Sequence, residues 1–130
     1  MIFLDANFLV SYYIYSEEQH ERAKNIMNTI ENDNRVISRL IIAETINILF
    51  TKLKVDKNLI KETYDKLNNE YILIEDHCYY DKTLDNIMNS SKRFPFFDYV
   101  FITLMKELGI KEIATFDKHF NNIDGIERIY

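Results

Sequence analysis

The stretch from Phe94 to Phe120 constrains the fold most, because it encodes a helix followed by a buried strand. An apolar run from Tyr99 to Leu108 is long enough for about three helical turns. Gly109 then ends this run, as expected of a residue that takes positive φ readily at a helix C-terminus. A β-like run follows at Glu112–Phe116. Such helix–strand units are the building blocks of α/β sheets.

The same alternation of short apolar runs and amphipathic segments extends along the rest of the chain. The other predicted strands are Ile2–Leu4, Arg35–Ser38, Tyr71–Ile74 and Glu127–Ile129. The helix already described starts at Phe97. The other predicted helices are 7–15, one that starts at Ser16 with a Ser16–Gln19 capping box, 39–52, one capped by Asp56 that runs to about Glu70, and 80–91. The pattern predicts an α/β fold with a central parallel sheet of about five strands and helices on both faces.

Chain length, cysteine content and net charge limit the classes of protein to which this chain can belong. The 130 residues suit one domain, 1–130, and no apolar run approaches the roughly 18 residues of a membrane span. One cysteine, Cys78, cannot form an internal disulfide, which favours a reducing cytoplasm. A net charge of −5 argues against nucleic-acid binding by bulk electrostatics, but not against an approach to phosphate through a bound cation.

Four acidic residues are expected to meet at one edge of the predicted sheet. Asp5 and Asp117 each follow a strand, and the C-terminal ends of parallel strands share an edge. Asp98 opens a helix, and Glu44 lies about one and a half turns along the helix that follows Ser38. Each acid alone has a simple alternative as a turn, cap or surface residue, but their convergence favours a common site.

Glu44 gives the strongest indication of bound metal. It lies in the otherwise apolar segment LIIAETINILF, and burying its charge is costly unless a cation or hydrogen-bond donor compensates. Four oxygen ligands without cysteine or histidine favour Mg²⁺ or Mn²⁺ over zinc. A cation held there could bind a phosphodiester oxygen and activate water. His119 is expected to orient the turn after Asp117 rather than to act as a base.

The frames around these acids resemble the motifs of PIN-domain ribonucleases, and most closely those of VapC-type toxins. The resemblance covers essentially the whole chain in order and spacing. The matching frames are IFLDANFLV with Asp5, IIAETINIL with Glu44, FFDYVFITLMKELGI with Asp98 and IATFDKHF with Asp117.

The resemblance implies a PIN α/β/α sandwich and endonucleolytic cleavage of RNA that depends on Mg²⁺ or Mn²⁺. It makes Asp5 and Asp98 the most direct metal ligands, with Glu44 and Asp117 completing the acidic site. It also implies a homodimer and a small antitoxin partner. Two further residues, Asn7 and Thr115, match polar positions beside the acids.

The sequence is also compatible with other functions. The resemblance also allows a PIN nuclease that processes RNA without an antitoxin, or a PIN domain that binds RNA or a partner without catalysis. A haloacid-dehalogenase-like phosphatase is a further class, since Asp5-Ala6-Asn7 follows a strand, but that class requires a second aspartate where Asn7 stands. A response-regulator receiver requires paired acids after the first strand, which are absent.

Overall fold

The computed structural model describes residues 1–130 and contains one sheet of five parallel strands. The predicted α/β class and the number of strands are therefore confirmed. The spatial order is β3-β2-β1-β4-β5, so the first strand is central. The strands are β1 (Ile2–Leu4), β2 (Arg35–Ser38), β3 (Ile72–Ile74), β4 (Glu112–Ala114) and β5 (Glu127–Ile129).

Six α-helices connect the strands, and none of them is long and apolar enough to cross a membrane. Two begin at predicted caps: Ser38 accepts from the Ile41 N–H, and Asp56 accepts from the N–H groups of the next helix. The helices are α1 (Ala6–Tyr13), α2 (His20–Thr29), α3 (Arg39–Asn47), α4 (Lys57–Asn69), α5 (Tyr80–Met88) and α6 (Phe96–Leu108).

The direction of the crossovers determines the layers. From β1 to β2 to β3 the chain moves one way across the sheet, and from β3 to β4 it moves back past β1. Right-handed crossovers therefore place α1 to α4 on one face and α5 and α6 on the other. The apolar core fills both interfaces; on the second, the Phe101 ring of α6 packs 5.4 Å from the Phe3 ring of β1. The C-terminal ends of all five strands form one edge.

Two helix predictions were wrong in detail. Ser16 forms no capping box, because a turn intervenes and α2 begins only after Gln19, which makes no side-chain cap. His20 Nδ1 lies 2.8 Å from the Ser11 carbonyl oxygen, which ties the start of α2 to α1. The helix predicted to reach Lys52 changes at Ile48 into a π-helical turn, where Leu53 N donates to Ile48 O.

Candidate active site

Asp5 lies at the centre of the C-terminal edge, directly after β1. It is the N-cap of α1, and its side chain is buried. The carboxylate accepts hydrogen bonds from Ala6 N at 2.8 Å, Asn7 Nδ2 at 3.2 Å and Thr115 Oγ1 at 2.6 Å. Both oxygens are thus engaged by donors, which fix the orientation of the group.

Thr115 and Asn7 tie the segment after β4 to the end of β1. The Thr115 hydroxyl accepts a 3.1 Å hydrogen bond from Asp117 N, and Asn7 Oδ1 accepts one of 3.0 Å from Phe116 N. These bonds to side chains turn the chain out of the sheet, so β4 ends at Ala114, earlier than the predicted run to Phe116. Asp117 consequently stands three residues beyond the strand, as the N-cap of a single 3₁₀ turn at Lys118–Phe120.

Asp98 and Asp117 lie close together at this edge of the sheet. Asp98 is the third residue of α6, where the helix dipole favours a negative charge; Pro95, not Asp98, is the N-cap. Asp117 Oδ1 accepts a 2.9 Å hydrogen bond from His119 N. One ligand atom from each of Asp98, Asp117 and His119 lies within 4.8 Å of the other two.

His119 faces both of these carboxylates, a contact that sequence reasoning did not anticipate. Its Nδ1 lies 3.4 Å from Asp98 Oδ2 and 3.5 Å from Asp117 Oδ2. The ring stacks on Phe94, with 5.5 Å between centroids. His119 is part of the TFDKHF segment, but only the compact turn at Asp117 brings the His119 ring back over α6.

Glu44 projects from the sixth position of α3 and is half-buried. Burial, with the negative charges of Asp5, Asp98 and Asp76, raises its pKa to about 7. No hydrogen bond or ion pair compensates its charge. The charges of Asp5 and Asp98 thus act on Glu44, whereas neither Asp5 nor Glu44 belongs to the set of ligand atoms that Asp98, Asp117 and His119 bring within 4.8 Å of one another.

Burial and nearby negative charges also raise the pKa values of Asp5 and Asp98. Burial raises the pKa of Asp5 to about 6, against the effect of its hydrogen bonds, with a further contribution from Asp98 and Asp117. Burial and the charge of Asp117 also raise the pKa of Asp98, although His119 opposes the effect. The candidate metal ligands are mainly carboxylate oxygens, whose negative charges repel one another. This group of acids therefore fits a hard divalent cation.

Asp76 is a buried acid that the sequence prediction missed. It follows β3 by two residues, and its Oδ2 accepts a 2.6 Å hydrogen bond from Leu40 N in the first turn of α3, the helix that carries Glu44. Tyr80 donates to the other oxygen at 3.3 Å. The signal was present, since an aspartate soon after a strand is the pattern that identified Asp5.

Comparisons with known proteins agree with this architecture. The sequence matches the family model of the PIN domain over residues 2–126. Among solved structures, the fold is similar to that of Mycobacterium tuberculosis VapC20, a toxin described as cleaving the sarcin-ricin loop. The TM-score is 0.77, with 91% of each chain covered and 16% sequence identity. A search of curated proteins gave no significant match. With nearly its whole length matched by the family model, this chain belongs to the PIN-domain family.

Proposed function

We propose that this protein is an endoribonuclease that depends on Mg²⁺ or Mn²⁺ and hydrolyses RNA phosphodiester bonds with water as the nucleophile. One observation carries the proposal: the C-terminal edge of the sheet gathers acids from separate elements, with ligand atoms of Asp98, Asp117 and His119 within 4.8 Å of one another. Burial raises the pKa values of Asp5, Glu44 and Asp98, and the charges of neighbouring acids add to this effect. Membership of the PIN family supports the choice of a nuclease.

Asp98 and Asp117 are proposed as ligands of the cation, together with Asp5 and Glu44. When bound, a divalent cation would lower the pKa of a water molecule and neutralise charge on the phosphodiester. His119 Nδ1 lies within reach of two of the acids and would keep their carboxylates oriented.

Asn7 and Thr115 orient Asp5 in the proposed site. The Thr115 hydroxyl and the Asn7 amide donate to Asp5, so that this carboxylate keeps one orientation whether or not a cation is present. Thr115 is fully buried, so its hydroxyl is out of reach of a phosphodiester, and the proposal assigns the attack to water.

The direct test is cleavage of RNA by the purified protein. Wild-type protein incubated with total RNA should produce discrete fragments in Mg²⁺ or Mn²⁺, and none in excess EDTA, with activity restored by Mn²⁺. Full activity in EDTA would overturn the metal mechanism. No cleavage in any divalent cation would favour a PIN domain that binds RNA or a partner without catalysis.

We further propose that the protein is the toxin of a toxin–antitoxin pair, active in the cytoplasm as a homodimer and neutralised by a small antitoxin. Similarity of fold to VapC20 supports this proposal. Expression alone should arrest growth, and co-expression of a short neighbouring open reading frame should restore it. Normal growth on expression of an active nuclease would instead favour an RNA-processing enzyme without an antitoxin.

A further inference from the structure

A cleft beside the acidic site gathers three basic side chains on a protein with a net charge of −5. We call it the basic cleft; its volume is about 230 Å³. No acidic side chain lines it. The lining residues are Gln19, Arg22, Phe116, Lys118, Arg128 and Tyr130.

None of the three cations forms a salt bridge with an aspartate or glutamate side chain, although the chain contains 21 acidic residues. Arg22 Nη2 donates a 2.7 Å hydrogen bond to the main-chain oxygen of Tyr130, and the Arg128 guanidinium lies 3.6 Å from the centre of the Tyr130 ring. The Nε atom of Arg128 is buried and has no hydrogen-bond partner. Tyr130 thus holds both arginines and already occupies one donor of Arg22, whereas Arg128 and Lys118 make no side-chain hydrogen bond to an oxygen and leave their charge available for an anion.

The basic cleft shares a segment of chain with the acidic site. Phe116 lines the cleft and precedes Asp117, and Lys118 follows it. The hydrogen bond from Phe116 N to Asn7 fixes this segment against the end of β1. Arg128 lies on β5, next to β4 in the sheet. An extended anionic chain could therefore pass from the acidic site into the basic cleft.

We propose that the basic cleft binds a backbone phosphate of the RNA substrate, next to the phosphodiester at the acidic site. The proposal rests on the ribonuclease function proposed above. Guanidinium groups bind phosphate oxygens with paired hydrogen bonds, and an acidic protein needs a local positive site to retain RNA beside its carboxylates.

The test compares two double variants that remove the same charge. Arg22→Gln/Arg128→Gln alters the cleft, whereas Lys57→Gln/Lys61→Gln alters two exposed, unpaired lysines on α4. Both are made with Asp98→Asn to prevent cleavage. Binding of a labelled single-stranded 15-nucleotide RNA is measured by fluorescence anisotropy in EDTA over a range of NaCl concentrations.

Each phosphate contact contributes about −0.7 to the slope of log K against log salt for single strands. We expect the slope of the cleft variant to be shallower by about 0.7, as for the loss of one phosphate contact, and that of the lysine variant to be unchanged. Arg22→Lys/Arg128→Lys keeps the charge and should retain the original slope. Equal slopes for the two glutamine variants, or loss of slope in the Arg→Lys variant, would overturn the proposal.

Cleavage of total RNA by wild-type protein is scored separately, so the two proposals can fail independently. An active wild-type enzyme with unchanged slopes in the cleft variant rejects only the basic cleft. Should the cleft variant keep its RNA affinity but escape neutralisation by the neighbouring open reading frame's product, the cleft would bind a protein ligand instead.

Discussion

The Thr115 hydroxyl donates a 2.6 Å hydrogen bond to Asp5 Oδ2, joining the ends of two neighbouring strands 110 residues apart in sequence. Thr115→Val keeps the shape of the side chain but removes this donor and the acceptor of Asp117 N. Leaving buried polar groups unsatisfied costs about 1–3 kcal/mol, so the free energy of unfolding should fall by that amount.

Urea denaturation measures this change, and Thr115→Ser, which retains the hydroxyl, is the matched control. RNA cleavage should fall more in the valine variant than in the serine variant, since Asp5 loses its orientation. Equal stability and activity in both variants would show that the hydroxyl has no part in the site.

The proposed catalytic role of Asp98 is tested by Asp98→Asn. The amide keeps the size of the side chain but not its charge. Loss of a direct ligand should have a larger effect than loss of a residue that only orients a ligand, and should lower cleavage by at least about 100-fold. Asp85→Asn, at an exposed position of α5, is the control and should cleave normally. Wild-type rates for the Asp98 variant would exclude it from the site.

Glu44 should destabilise the protein when metal is absent. Its pKa rises from 4.5 in the unfolded chain to about 7 in the fold, so its contribution to stability is present below pH 4.5 and is lost as the pH rises through 7. In EDTA at pH 7.5, Glu44→Gln should therefore be more stable than wild type by about 2 kcal/mol, a value reduced for partial exposure.

At pH 4 this difference should vanish, because wild-type Glu44 is then protonated. Addition of Mn²⁺ at pH 7.5 should raise the melting temperature of wild type more than that of Glu44→Gln, since a ligand that binds the native state stabilises it. A wild-type protein that is the more stable of the two in EDTA at pH 7.5 would contradict the prediction.

Asp76 is expected to position Glu44 through the start of α3. Asp76→Ala removes the acceptor of the Leu40 N hydrogen bond, and Asp56→Ala removes the N-cap of α4. Losing a capping acceptor to alanine costs about 0.5–2 kcal/mol, so urea denaturation should show both variants destabilised. Only Asp76→Ala should reduce cleavage. An equal effect of both variants on cleavage would show that Asp76 has only a general structural role.

The local sequence was sufficient to predict the fold class. Apolar runs of three or four residues alternating with helical periods predict a parallel sheet, because each pattern has a distinct spacing of buried side chains. Asp5 could be assigned to the C-terminal edge because its strand is short and ends abruptly. Gly109 likewise adopts φ of 70°, the left-handed conformation expected at a helix end.

What the sequence by itself determined was therefore the order of elements and the edge to which Asp5 and Asp117 belong, since strand periodicity and right-handed crossovers are local or general rules. Tertiary structure alone decided that Asp76 accepts from Leu40 N in the first turn of α3, that Thr115 donates to Asp5 and that His119 faces Asp98. These contacts join residues 21 to 110 positions apart in the sequence. Their geometry depends on how the helices pack against the sheet, and the spacing of residues along the chain does not encode that packing.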